Sequence, residues 1–133
     1  MQFGNHLQKQ GNLSFAVRYI EQALHIAREI GDHQVEVNAL GSLGNIAVDR
    51  GDIPLAICQY QSAYEVACRF DNYYGKAISA WNLGKAYEQI GKVAQAIEWM
   101  QMYVDFQRDI NHTNASEDEA YVTRLKRVAV QDG

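Results

Sequence analysis

Proline is nearly missing from these 133 residues; Pro54 stands alone. Proline removes a backbone donor and interrupts regular elements, so little here limits element length. Cysteine is equally scarce. Cys58 and Cys68 are ten residues apart, about 15 Å along a helix, too far to bridge. A disulfide framework is excluded, and the pair reads as reduced thiols in or beside the core of a cytoplasmic chain. Long apolar runs are lacking: none approaches the roughly 18–20 residues of a membrane span, and mean hydropathy is −0.34. Basic charge is in deficit, 12 Lys and Arg against 16 Asp and Glu, for a net charge of −4. That argues against nucleic acid, which selects basic faces. Met1 leads into polar Gln2, Asn5, His6 and Gln8, with no apolar core of a secretory leader. The sequons at Asn111 and Asn114 would matter only after secretion. His6, His25, His33 and His112 show no His-x-x-x-His or Glu-x-x-His spacing, so no metal or cofactor is expected. His25 and His33 read as surface residues beside a helix end. No glycine-rich phosphate loop is present and no nucleophile has a base nearby, so the chain does not read as an enzyme.

Glycine, by contrast, is present in register. Gly4, Gly44 and Gly84 are forty residues apart, as are Gly11, Gly51 and Gly91; Ala16, Ala56 and Ala96 form a third column, and Phe3, Leu43 and Leu83 a fourth. A fixed period of this length marks an internal repeat. Each unit reads as two helices. Residues 1–10 are the tail of a first helix, broken at Gly11-Asn12, with Asn12 able to cap a helix of about 13–30. Further helices are predicted at about 34–50, 53–70, 74–90 and 93–110, and a last one at about 117–130 after a polar linker. The units divide as 1–31, 32–71 and 72–111, with a closing helix at 116–131. Pro54 falls in a first turn, where its missing N–H costs nothing. Ser116 and Glu119 have the spacing of a capping box, and Glu117-Asp118-Glu119 suits a helix N-terminus.

Helical spacing puts Ala16, Ile20, Ala23, Ala27 and Ile30 on one inner stripe. Leu40, Leu43, Gly44 and Ala47 form the next, then Ala56, Tyr60, Ala63, Ala67 and Phe70. Ala80, Leu83, Gly84 and Tyr87 follow, then Ala96, Met100, Tyr103 and Ile110. Gln107 breaks the pattern, standing in the column of Ala27 and Ala67. Mid-helix glycine costs about 1 kcal/mol against alanine, so Gly44 and Gly84 need a packing reason. A Gly on one helix and an Ala on the next let two antiparallel axes approach closely. The expected fold is all-α.

The run Ala80-Trp81-Asn82-Leu83-Gly84-x-x-Tyr87, followed by Gly91, Ala96-Ile97-Glu98 and Met100, resembles the tetratricopeptide repeat signature. The forty-residue unit resembles the long-repeat subclass of kinesin light chains, Pins-type adaptors and bacterial regulators. Residues 23–32, ALHIAREIGD, resemble that subclass's second-helix ending. The departures are Ala47, where an aromatic is usual, and the irregular third second-helix. The resemblance implies a right-handed superhelix, an α-solenoid of antiparallel helix pairs: three repeats and a capping helix. It also implies a concave groove, lined by the first helices, that takes a peptide or a partner's helix.

The first-helix positions off the inner stripe are the candidate partner-binding residues: Asn5; Asn38, Ser42, Asn45 and Asp49; Ile78, Trp81, Asn82, Lys85 and Gln89. Gln2, Lys9 and Gly41 share their faces. Stacking makes a ladder of Asn5, Asn45 and Lys85. Asparagine both donates and accepts, which suits an extended backbone, and Trp81 is a hot-spot residue type. The competing reading is that the asparagines merely tolerate water and Trp81 packs between repeats. Chaperone-binding members of the family hold a C-terminal carboxylate with two Lys, an Arg and asparagines. Asn5 and Asn45 match, but Met1, Ile78 and Asn82 stand where the cations belong, so such a clamp is not expected. The reading is a protein- or peptide-binding module. The alternative is a peptide- or effector-sensing region of a larger signalling or transcription-regulating protein. The short first helix, near Phe3 and Leu7, adds an expectation of either a longer array or self-association at that end.

Overall fold

A computed structural model describes the backbone of residues 2–109 and 115–132 and the side chains of 11–109 and 117–130. Six helices follow one another: α1 (Gln2–Ile30), α2 (His33–Asp49), α3 (Ile53–Arg69), α4 (Tyr73–Gln89), α5 (Val93–Asp109) and α6 (Ala115–Asp132). Among the described residues there is no strand.

The punctuation is local chemistry repeated every twenty residues. Gly31, Gly51 and Gly91 take φ of 74°, 80° and 79°, and Asp71 takes 54° at the fourth such point. A left-handed residue there turns the next N–H back onto the helix. Asp32 N donates to Ala27 O at 2.8 Å, Asp52 N to Ala47 O at 2.8 Å, Asn72 N to Ala67 O at 2.8 Å and Lys92 N to Tyr87 O at 3.0 Å. Each bond satisfies a helix-end carbonyl, as in a Schellman turn. The following helix is then capped. Asp32 accepts from Val35 N at 3.2 Å, Asp52 from Leu55 N at 3.2 Å and Asn72 from Gly75 N at 2.9 Å, each satisfying an orphan donor.

One boundary departs from the sequence reading. The expected break at Gly11-Asn12 does not occur; α1 runs through it as 29 continuous residues. The physical reason is a balance along the backbone. A turn would give up backbone hydrogen bonds that the continuous helix keeps, and a glycine inside a helix costs only about 1 kcal/mol.

Consecutive helices pack on each other, α1 on α2 through to α5 on α6, and the first helices α2 and α4 also touch. The core runs as three clusters along the stack: Leu24, Leu40 and Leu43 with Ala63 and Val66; Ala47, Ala56, Tyr60 and Leu83; then Met100, Val104 and Val122 of α6. The glycine columns lie at the close approaches. A Cβ on Gly44 would sit 2.6 Å from Tyr60 Cδ1, and one on Gly84 would sit 2.5 Å from Met100 Cγ and 3.1 Å from the Ala96 carbonyl oxygen. Ala56 and Ala96 have no exposure.

Several inner-stripe expectations need correction. Ile30 is 71% and Phe70 46% exposed, because each ends its helix beyond the last covering residue. Phe70 instead stacks on His33 with ring centroids 4.5 Å apart, so His33 is half-buried rather than a free surface residue. Ala16, Ile20 and Ala23 are only half-buried. Cys58 and Cys68 are free and exposed, on the outer side of α3 rather than in the core. Gln107 is buried among the alanine-column positions, donates to Tyr103 Oη, and leaves its Oε1 without a partner. Ile110, Asn111, Asn114 and the Ser116 side chain lie outside the described residues. Glu119, the other half of the expected capping box, is bound by Arg108 of α5.

Burial raises the Tyr60 hydroxyl pKa, with Asp49 adding to it, and burial likewise raises Tyr103 and Tyr121. The folded protein therefore keeps these protons above about pH 10, where the unfolded chain gives them up, so their contribution to stability is complete below that value and lost above it. Thermal melts are expected to be insensitive to these groups up to about pH 9.5 and to fall above about pH 10. An unchanged melting temperature near pH 11 would contradict this assignment.

Candidate functional site

The seam between α2 and α4 opens as a cleft of about 280 Å³. Gln34, Val37, Asn38, Gly41, Ser42 and Asn45 line it from α2, and Tyr74, Gly75, Ile78, Ser79 and Asn82 from α4. Each set recurs at three- and four-residue spacing and so shares one helix face. Gly41 bares the backbone on the α2 side, where a Cβ would meet nothing within 4 Å. On the α4 side, Tyr74 and Ile78 are 70% and 56% exposed one turn apart. They form an apolar step beside the amides.

Among the described residues, no charged side chain lines the cleft. Its polarity comes from amides held in defined orientations. Asn38 Oδ1 accepts from Gln34 Nε2 at 3.2 Å, and Gln34 Oε1 accepts from Asn72 Nδ2 at 3.0 Å. Asn45 Oδ1 accepts from the Tyr60 hydroxyl at 2.5 Å, and the raised Tyr60 pKa keeps that donor protonated. Each of these oxygens is engaged by a neighbouring side chain, and the NH2 groups of Asn38 and Asn45 make no side-chain hydrogen bond among the described residues. Ser42 and Asn82 make no side-chain hydrogen bond among the described residues and present both donor and acceptor.

Five of the ten residues singled out in the sequence come together here: Asn38, Ser42, Asn45, Ile78 and Asn82. Asp49 and Gln89 are exposed but outside the cleft, because each lies in the last turn of its helix, past the lining stripe. The Asn5 side chain lies outside the described residues. Trp81 follows the packing reading. It is half-buried, with ring centroids 4.8 Å from Tyr103 and 6.0 Å from Tyr121. Lys85 is drawn to α6 as well, its Nζ 3.3 Å from Tyr121 Oη and 3.8 Å from Glu88 Oε1. Tyr121 also donates to Glu88 at 2.7 Å, so Lys85 is engaged with α6 rather than with the cleft. Gln34 and Tyr74 were missed. Both stand four residues ahead of a chosen position, Asn38 and Ile78, and that spacing was the available signal.

The helix pairs, the glycine approaches and the seam between first helices are now joined by a direct comparison. Two tetratricopeptide repeat profiles match the chain, over residues 1–69 and 42–110. The chain belongs to the tetratricopeptide repeat family. No curated protein matches it in a sequence comparison. Tetratricopeptide repeats generally mediate protein–protein interactions, and this one is an all-α repeat solenoid. Among the described residues, no helix is long and apolar enough to cross a membrane, and no three His, Cys, Asp or Glu side chains gather as metal ligands would.

Proposed function

We propose that this chain is a non-catalytic protein-interaction module that takes an extended, uncharged peptide segment along the α2–α4 cleft. The observation that carries this reading is the neutral lining with uncommitted amide donors. The uncommitted NH2 groups of Asn38 and Asn45, with Ser42 and Asn82 between and opposite, match the carbonyls and N–H groups of an extended backbone. Tyr74 and Ile78 offer contact to one apolar side chain of the peptide. A charged ligand would leave water for a lining with no counter-ion, at a cost that favours neutral partners. Free thiols at Cys58 and Cys68 fit a reducing setting, and the reading places the module in the cytoplasm.

A regulatory region of a larger signalling or transcription-regulating protein would use the same cleft to sense such a peptide. The exposed apolar side chains of Phe15, Tyr19, Ile26 and Ile30 on α1 favour this second reading. Self-association at that side belongs to it.

Selection of a displayed random-peptide library on the wild-type protein tests the proposal, with affinities then measured against Asn38→Ala/Asn82→Ala. Neither residue supports the core. Asn45 is less suitable because its loss would orphan the Tyr60 hydroxyl. Each lost hydrogen bond is worth about 0.5–1.5 kcal/mol, so binding is expected to weaken about tenfold with helicity and melting temperature unchanged. Full binding by the double variant would move the site elsewhere.

A further inference from the structure

Three amides stand in series at the edge of the cleft. Asn72 Nδ2 donates to Gln34 Oε1 at 3.0 Å, and Gln34 Nε2 donates to Asn38 Oδ1 at 3.2 Å. A carboxamide accepts at one end and donates at the other, so such a series can run in either direction. One backbone group chooses between them. Gly75 N donates to Asn72 Oδ1 at 2.9 Å, and a backbone N–H can only donate. Asn72 therefore keeps its oxygen for Gly75 and gives its NH2 to Gln34. Gln34 answers with its oxygen, which leaves its own NH2 for Asn38. Asn38 accepts, and its NH2 makes no side-chain hydrogen bond among the described residues.

Capping does not require an amide at position 72. Asp32 and Asp52 cap α2 and α3 from the same place in their turns, each at 3.2 Å, and Asp and Asn cap about equally well. Those aspartates have no NH2 to pass on. The third residue of the capped helix differs as well. Val35 and Leu55 hold that place in α2 and α3 and are exposed; Gly75 holds it in α4 and is buried. A Cβ on Gly75 would lie 3.0 Å from both Cγ and Nδ2 of Asn72. The glycine leaves the Asn72 amide its space, so two departures from the other capped turns meet on one side chain.

We propose that Asn72 is a positioning residue that fixes Asn38 as a hydrogen-bond donor through Gln34, so that the bound segment must offer a carbonyl oxygen at that point. The proposal rests on the reading of the α2–α4 cleft as a peptide site. Asn72→Asp reverses the series while keeping its shape. The carboxylate still accepts from Gly75 N, and its second oxygen can only accept from Gln34 Nε2. Gln34 Oε1 then faces Asn38 and takes its NH2, which leaves Asn38 Oδ1 uncommitted. The cleft then calls for an N–H where it called for a carbonyl.

Exchange of side-chain NH2 protons with water, read by 15N NMR on the unliganded protein, tests the series without any peptide. The Asn38 NH2 is expected to exchange severalfold more slowly in Asn72→Asp than in the wild type. An unchanged rate overturns the proposal. Binding tests the consequence, with a peptide selected from the displayed library on the wild-type protein. Asn72→Asp is expected to weaken it about tenfold, with the melting temperature unchanged because the cap survives. In a Gln34→Ala background the same substitution is expected to change affinity less than about twofold. An equal loss in both backgrounds would mean that the new charge acts directly, and overturns the relay. Full binding by Asn72→Asp also overturns it. If Asn38→Ala/Asn82→Ala loses binding in that case, the cleft reading stands and the relay alone falls; if it too binds fully, both fall.

Discussion

Gly84→Leu is expected to destabilise the protein by roughly 1–3 kcal/mol, because overpacking a close helix contact forces side chains off their rotamers or moves backbone. Two obstacles meet the new side chain. Met100 Cγ, 2.5 Å from the position of a Cβ, belongs to a flexible side chain that can swing away. The Ala96 carbonyl oxygen at 3.1 Å is backbone and cannot. Helix propensity works in the opposite sense, since leucine is a better helix former than glycine, so the measured loss understates the cost of the contact. The melting temperature should fall on the order of 5–15 °C for a chain of this size. A Gly84→Leu protein as stable as wild type would remove the packing argument for the whole repeat.

Gly41→Leu uses the same substitution where the space is open, and the expected result is the reverse for stability. Nothing lies within 4 Å of a Cβ there, and exchanging a mid-helix glycine recovers up to about 1 kcal/mol of propensity. Helicity and melting temperature should hold or rise. Binding should fall by more than tenfold, because the leucine would occupy the stretch of α2 between Asn38 and Asn45 that the peptide backbone needs. The two glycines separate fold from function: one is small for its neighbour helix, the other for a ligand.

How far the sequence revealed this depends on which forces were local. The helix ends were legible within one or two residues, because Gly31, Gly51 and Gly91 and the capping Asp52 and Asn72 act on their own neighbours. The pinch at Gly44 and Gly84 was legible because the period repeated it. The break at Gly11 was misread because Gly-Asn permits a turn without requiring one, and α1 keeps its backbone hydrogen bonds through it. Trp81 and Lys85 were ambiguous from spacing alone. What decided them was Tyr103 of α5 beside Trp81 and Tyr121 of α6 beside both, and no periodicity within the repeat announces the contacts with α6. Gln34 escaped notice because its role is indirect: it holds Asn38 by its oxygen and is itself held by Asn72 across the repeat boundary. The shape of the cleft was therefore readable, while the orientation of its amides depended on bonds between residues far apart in the chain.

The most direct test of the account is a two-dimensional 15N NMR titration of the wild-type protein with a library-selected peptide, following side-chain NH2 signals. The account predicts that the NH2 resonances of Asn38, Asn45 and Asn82 shift together on binding, with those of Gln59 and Gln61 on α3 unmoved. Shifts concentrated on α3 and α5, with the three asparagines silent, would contradict it.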